Sequence, residues 1–144
     1  MARVDVSGVD EVMTMFKELA DQQKVNEAAV KAVNKATPAL TREMSAAIAS
    51  REYGPYATGS VSRSVRATRA KTNAYGVFSV AKPTGVDEKG TRNAEKAAYL
   101  QYGTPNMAAR PWAETAVRMG EEKAAPILED TFLDEMGIQK GDGE

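Results

Sequence analysis

Apolar residues return along the chain at two different periods, and the changes of period mark out the elements. Arg3-Val4-Asp5-Val6 alternates polar and apolar, the pattern of a short strand. Val9, Val12, Met13, Phe16 and Leu19 then recur every three or four residues, which predicts a helix over residues 8–22. Ser7 is placed to cap it, and Asp10 and Glu11 fall in its first turn, where the helix dipole favours acids. Val25, Ala29, Val33, Ala36, Leu40, Met44 and Ala47–Ile48 carry the helical period on from 25 to 50. Pro38 lies inside that run, and its missing amide predicts a kink or break near Ala36–Thr37. The many alanines imply that another helix or a sheet comes close.

Beyond residue 50 the helical period is lost. Tyr53-Gly54-Pro55-Tyr56-Ala57-Thr58-Gly59 is rich in turn formers and reads as a loop. Val61–Thr68 has β-branched residues at alternate places, and Asn73–Val80 is the clearer strand, with Tyr75, Val77, Phe78 and Val80 as its bulk. Lys71-Thr72-Asn73 between them suggests the turn of a hairpin. Lys82–Glu95 is a polar loop, a length that in a compact domain is commonly functional or mobile. Ala97–Tyr102 reads as another strand or a short turn. Pro111, at the favoured first helical position, opens a last helix whose Trp112, Ala116, Met119, Ile127, Phe132 and Met136 can share a face, with a bend or break at Pro126. The order of elements predicts one α+β domain over residues 1–136, with two N-terminal helices, an antiparallel sheet with a hairpin, and a C-terminal helix packed on the sheet. Residues 137–144 read as a disordered tail.

Composition narrows the chemistry. The 144 residues include no Cys and no His, which excludes disulfides, thiolate nucleophiles and Ser-His-Asp or Cys-His catalysis. No apolar run approaches the length of a membrane span, and no apolar stretch near the N-terminus resembles a signal peptide, so a cytoplasm-like compartment is expected. The formal net charge of −1 hides an uneven distribution. Residues 51–71 carry five bases and one acid, a net of +4, whereas residues 121–144 carry eight acids and two lysines, a net of −6. Opposite patches on one small chain suit head-to-tail contact between copies, and two solvated faces are the plainer reading.

Few constellations of reactive type are present. Gly85-Val86-Asp87-Glu88-Lys89-Gly90-Thr91 has the glycine spacing of a phosphate loop, but Thr91 stands where a Lys is needed to hold the phosphates. The pairs Asp87–Glu88 and Asp5–Asp10 lack calcium-loop spacing and read as solvated charge. Arg63, Arg66 and Arg69 recur every third residue near Tyr53 and Tyr56, a combination that can bind single-stranded nucleic acid or an acidic protein surface. On a strand, that spacing would not put the three on one face.

The most organised stretch is Tyr99-Leu100-Gln101-Tyr102-Gly103-Thr104 followed by Ala109-Arg110-Pro111-Trp112. Its aromatics can anchor a stiff corner in the core. Arg110 precedes a helix, where the dipole disfavours a cation, and so invites a carboxylate within the fold or on a neighbouring copy. This corner resembles the "aromatic-x-Glu-aromatic-Gly-Thr … Ala-Arg-Pro-aromatic" signature of the small head–tail joining, neck and tail-completion proteins of long-tailed double-stranded-DNA phages and prophages. Pro55-x-x-Thr58-Gly59-x-Val61-x-x-Ser64-Val65 is similar to an upstream element of that family, and Val6-x-Gly8-Val9-x-Glu11 to its usual start. Gln101 departs from the pattern, standing where Glu is common.

The resemblance implies a structural virion protein with no enzyme activity and no cofactor or metal. It implies a homo-oligomeric ring, six-fold in expectation, at the head–tail junction, meeting other neck and tail-tube proteins in a joining, completion or terminator role. DNA would pass through or near the ring, and assembly would take place in the host cytoplasm. Candidate assembly residues are Arg63, Arg66, Arg69, Gln101, Tyr102, Thr104 and Arg110, and candidate structural residues are Thr58, Gly59, Ser64, Tyr99, Gly103, Pro111 and Trp112. The alternative function is a prophage-encoded nucleic-acid-binding regulator that uses segment 51–71.

Overall fold

A computed structural model describes residues 13, 14, 17, 21–54 and 57–139. The strand expected at 3–6 and most of the helix expected at 8–22 lie outside the described residues, although Met13, Thr14 and Lys17 are helical. The first complete element is α1, Gln22–Ala49, whose N-cap Asp21 accepts the amides of Gln23 and Lys24. Then come a one-turn helix α2 (Ser60–Arg63), strands β1 (Val65–Ala67), β2 (Lys71–Asn73), β3 (Gly76–Phe78) and β4 (Ala81–Pro83), and helices α3 (Asn93–Tyr102) and α4 (Ala113–Glu135). The expected mixture of helices and antiparallel strands is what forms, as two short ladders: β1 with β4, and β2 with β3.

Alanine explains how α1 and α4 pack. Ala28, Ala32, Ala36, Ala39 and Ala47 of α1 are buried, as are Ala116 and Gly120 of α4. Side chains this small let two helix backbones approach, and a Cβ on Gly120 would overlap Leu40 Cδ1. The larger core lies at the C-terminal end of α1. There Ile48, Val61, Val65 and Ala97 are buried together, with Met44, Leu100 and Trp112 packed around them.

Several local expectations are overturned. Of the kink or break expected at Pro38 and the bend or break at Pro126, the break does not occur, since both helices run through. Pro38 removes a donor to the Asn34 carbonyl, a loss of roughly 3 kcal/mol in a helix interior, but buried alanines before and after it keep both halves packed. The Thr37 hydroxyl also back-bonds to Val33 O. The strand expected at Val61–Thr68 begins as α2, because Gly59 takes a left-handed conformation and starts a helical turn, leaving only Val65–Ala67 extended. The hairpin forms, but Lys71–Asn73 is its first strand rather than its turn. The turn lies at Ala74–Tyr75, fixed by Asn73 Oδ1, which accepts the amides of Tyr75 and Gly76. Ala97–Tyr102 is helical, and the polar stretch 82–95 includes the end of β4, a Val86–Arg92 bridge and the start of α3. Pro111 lies just outside α4, whose N-cap is Trp112.

Candidate interaction surface

Several motif residues of the corner have an identifiable task. The peptide of Gly103 has φ +79° and ψ 173°, a region essentially restricted to glycine. A Cβ there would lie 2.8 Å from Ala109 N. Thr104 and Met107 close a tight turn by exchanging backbone bonds of 2.9 and 3.1 Å, and Arg110 N donates to Leu100 O at 2.6 Å. The chain is thereby folded back on α3. Trp112 is fixed by its indole Nε1, which donates to Ala97 O at 2.9 Å.

Gln101 caps the next helix. Its Oε1 accepts the amides of both Trp112 and Ala113 at 2.9 Å, satisfying donors at the start of α4 that have no partner within the helix. A carboxylate could take the same two bonds, so the Gln at this place retains the geometry and gives up only the charge. The recorded side-chain bonds of Gln101 thus go to a helix end and none to Arg110. Arg110 has no carboxylate partner among its recorded bonds. Its guanidinium sits 3.8 Å from the centroid of the Tyr53 ring and donates to the carbonyls of Tyr53 at 3.1 Å and Arg51 at 3.4 Å. This arginine ties the corner to the chain leaving α1. The tie is within the fold.

The upstream element meets the corner at this point. Thr58 and Val61 line a pocket of about 320 Å³ together with Tyr53, Tyr99, Leu100, Met107 and Arg110. Ser64 supports it from below: its hydroxyl donates to Val61 O, and its carbonyl accepts the amide and hydroxyl of Thr84. Pro55 lies outside the described residues. Lys96, also at the pocket, bridges Asp87 at 3.1 Å and the Ser60 hydroxyl at 3.0 Å. Asp87 accepts the backbone amides of Thr91 and Lys89 as well, and these bonds, first that from Thr91 and then the one from Lys96, hold its carboxyl below the usual range. The expected solvated acid is therefore the organiser of its loop. Tyr99 donates to Glu95, which raises the phenol's pKa. Among the described residues, no group of three or more acids could hold a metal ion.

Aromatic surface remains outside. Tyr102 is 80% exposed, Tyr53 56% and Tyr99 41%. Around the other side of α1 runs a second, more open groove, of about 870 Å³, lined by Arg42, Arg63, Arg66 and Arg69. The three arginines foreseen from sequence do converge, since the chain changes from helix to strand between Arg63 and Arg66. Sequence reasoning missed Arg42. Its signal was a second polar stripe on α1, formed by Asn34, Thr41, Arg42 and Ser45. It also gave no sign of Tyr53 as the partner of Arg110.

Among the described residues, no helix is long and apolar enough to cross a membrane. Comparison with protein-family models, curated proteins and solved structures finds no match to this chain.

Proposed function

We propose that this chain is a structural assembly protein of the head–tail junction of a long-tailed double-stranded-DNA phage or prophage, working as a homo-oligomeric ring in a neck, tail-completion or tail-terminator role. The observation that carries this reading is the meeting of the two sequence elements behind the resemblance. Residues 57–65 and 99–112 both line one pocket at the end of α1, and Arg110 ties the second element to Arg51 and Tyr53, just ahead of the first. Gln101, Thr104 and Arg110 are used in holding the corner, and the tyrosines beside it stay exposed. Large aromatic side chains presented by a stiff frame suit protein–protein contact, since little side-chain entropy is lost when they are covered.

Disruption of the gene in the phage or prophage that carries it, followed by electron microscopy, tests the reading. Free tails beside DNA-filled heads support a joining role, and overlong tails support a terminator. Normal infectious virions overturn the proposal. The nucleic-acid-binding alternative draws on the arginine groove, and the experiment below separates it.

A further inference from the structure

We infer that the arginine groove between α1 and β1 is a docking site for the exposed acidic surface of α4 of a second copy of this chain. This rests on the ring reading and supplies its interface.

The groove gathers cations at a cost to the fold. Its lining includes Arg42 from α1, Arg63 from α2, Arg66 from β1 and Arg69 just beyond, and no acid. Arg66 also stands directly across the ladder from Lys82, and like charges in that position destabilise an antiparallel pair. The ion pairs recorded among the described residues, Lys31–Glu135 and Lys96–Asp87, involve none of these arginines. Two of them are held by backbone. Arg63 donates to Thr58 O at 2.9 Å, and Arg66 donates to Arg63 O at 2.9 Å and Val65 O at 2.8 Å. Carbonyl bonds fix the direction of a guanidinium without neutralising it, so the cationic surface is set before any partner arrives.

The complementary surface is on the same chain but out of reach. Helix α4 carries seven acids against Arg118 and Lys123, a net of −5, and Glu121, Glu122, Glu129, Asp130 and Asp134 are exposed. At about 100° per residue, the groove-lining Asn34, Pro38, Thr41 and Ser45 lie about 100–160° around α1 from Leu40. Leu40 faces Gly120 of α4. The basic and acidic surfaces therefore flank α1 on different sides, and one copy cannot pair them. Two copies can, each giving its groove to one neighbour and its α4 to the other. Such a heterologous contact repeats, and closes into a ring when the rotation allows. Nucleic acid is the less favoured occupant. The chain's net charge is −1, and a polyanion entering the groove gains nothing from the acidic face beyond.

The test is a charge swap on the full chain, read by sedimentation velocity at millimolar concentration in low and high salt. One variant carries R63E, R66E and R69E, and the other E121K, E122K and D134K. All six positions are exposed, so the circular dichroism of each variant should match the parent's. Each variant alone should self-associate at least about 100-fold more weakly than the parent, because like charges then face across the contact. Their equimolar mixture, and a chain carrying all six changes, should recover association that high salt removes. A parent chain that stays monomeric in low salt overturns the inference, and so do variants that associate as the parent does. Salt-sensitive binding of duplex DNA that only the groove variant loses, with self-association unchanged, assigns the groove to nucleic acid instead. If particle assembly needs the gene yet tolerates the groove variant, the interface fails while the junction role stands.

Discussion

The two ends of α1 are held by different kinds of bond. At its C-terminal end the chain is locked by buried and half-buried atoms: the Trp112 indole on Ala97, the Gln101 cap, the Gly103 turn and the Ile48–Val61–Val65 core. Further back along α1, the β2–β3 hairpin leans on side-chain amides. Asn34 Oδ1 accepts Ala70 N at 2.9 Å, and Asn26 Oδ1 accepts the Thr72 hydroxyl at 3.3 Å, both in exposed positions. Strand β2 is exposed along its whole length. Buried hydrogen bonds cost their full desolvation when one partner is removed, whereas exposed groups turn to water. The corner should therefore respond to single substitutions and the hairpin should tolerate them.

The strongest break of that contrast is Trp112→Ala. It should remove about 3 kcal/mol, counting a large half-buried side chain and its lost bond to the Ala97 carbonyl, and lower Tm by roughly 10 °C in calorimetry. Gly103→Ala comes next, at about 2–3 kcal/mol, since the residue must leave a region open only to glycine; a denaturant midpoint that does not move would contradict the account of the turn. Gln101→Leu should cost about 1 kcal/mol through the lost cap. Gln101→Glu should be neutral or gain up to about 0.5 kcal/mol from the helix dipole, a gain that salt removes. Asn34→Ala should leave Tm within about 2 °C and act locally, speeding hydrogen exchange at the Ala70 amide.

The smallest effect is one of pH. The folded pKa of Asp87 lies below the ordinary 3.8, so its stabilisation is complete above that value and is lost as the pH falls through the lowered one. In Asp87→Asn, the acid limb of the stability curve should flatten, with little change in its shape at neutral pH.

The long helices were legible because their apolar period persists over 28 and 23 residues. Three-residue strands cannot display a period of two, which is why β2 reads as a turn, and a four-residue helix such as α2 is equally too short to show the helical period. Ala97–Tyr102 misled for another reason. Its carbonyls meet partners from more than nine residues away, the Trp112 indole on Ala97 and the Arg110 amide on Leu100, and local pattern does not record them. The proline breaks failed because propensity counts the lost bond but not the alanine packing on either side. Of the candidate surface, the sequence showed which residues are unusual. It did not show their pairing: Arg110 with Tyr53 rather than a carboxylate, and Gln101 with amides rather than Arg110.

Trp112 is the single tryptophan in the chain. Its emission is therefore a private signal from the corner, to which the hairpin adds no second indole. A molecule whose hairpin has opened while the corner holds would lose far-ultraviolet ellipticity without shifting its fluorescence to the red. The protein carries its own two-channel reporter, and the order in which its ends let go can be read without a label.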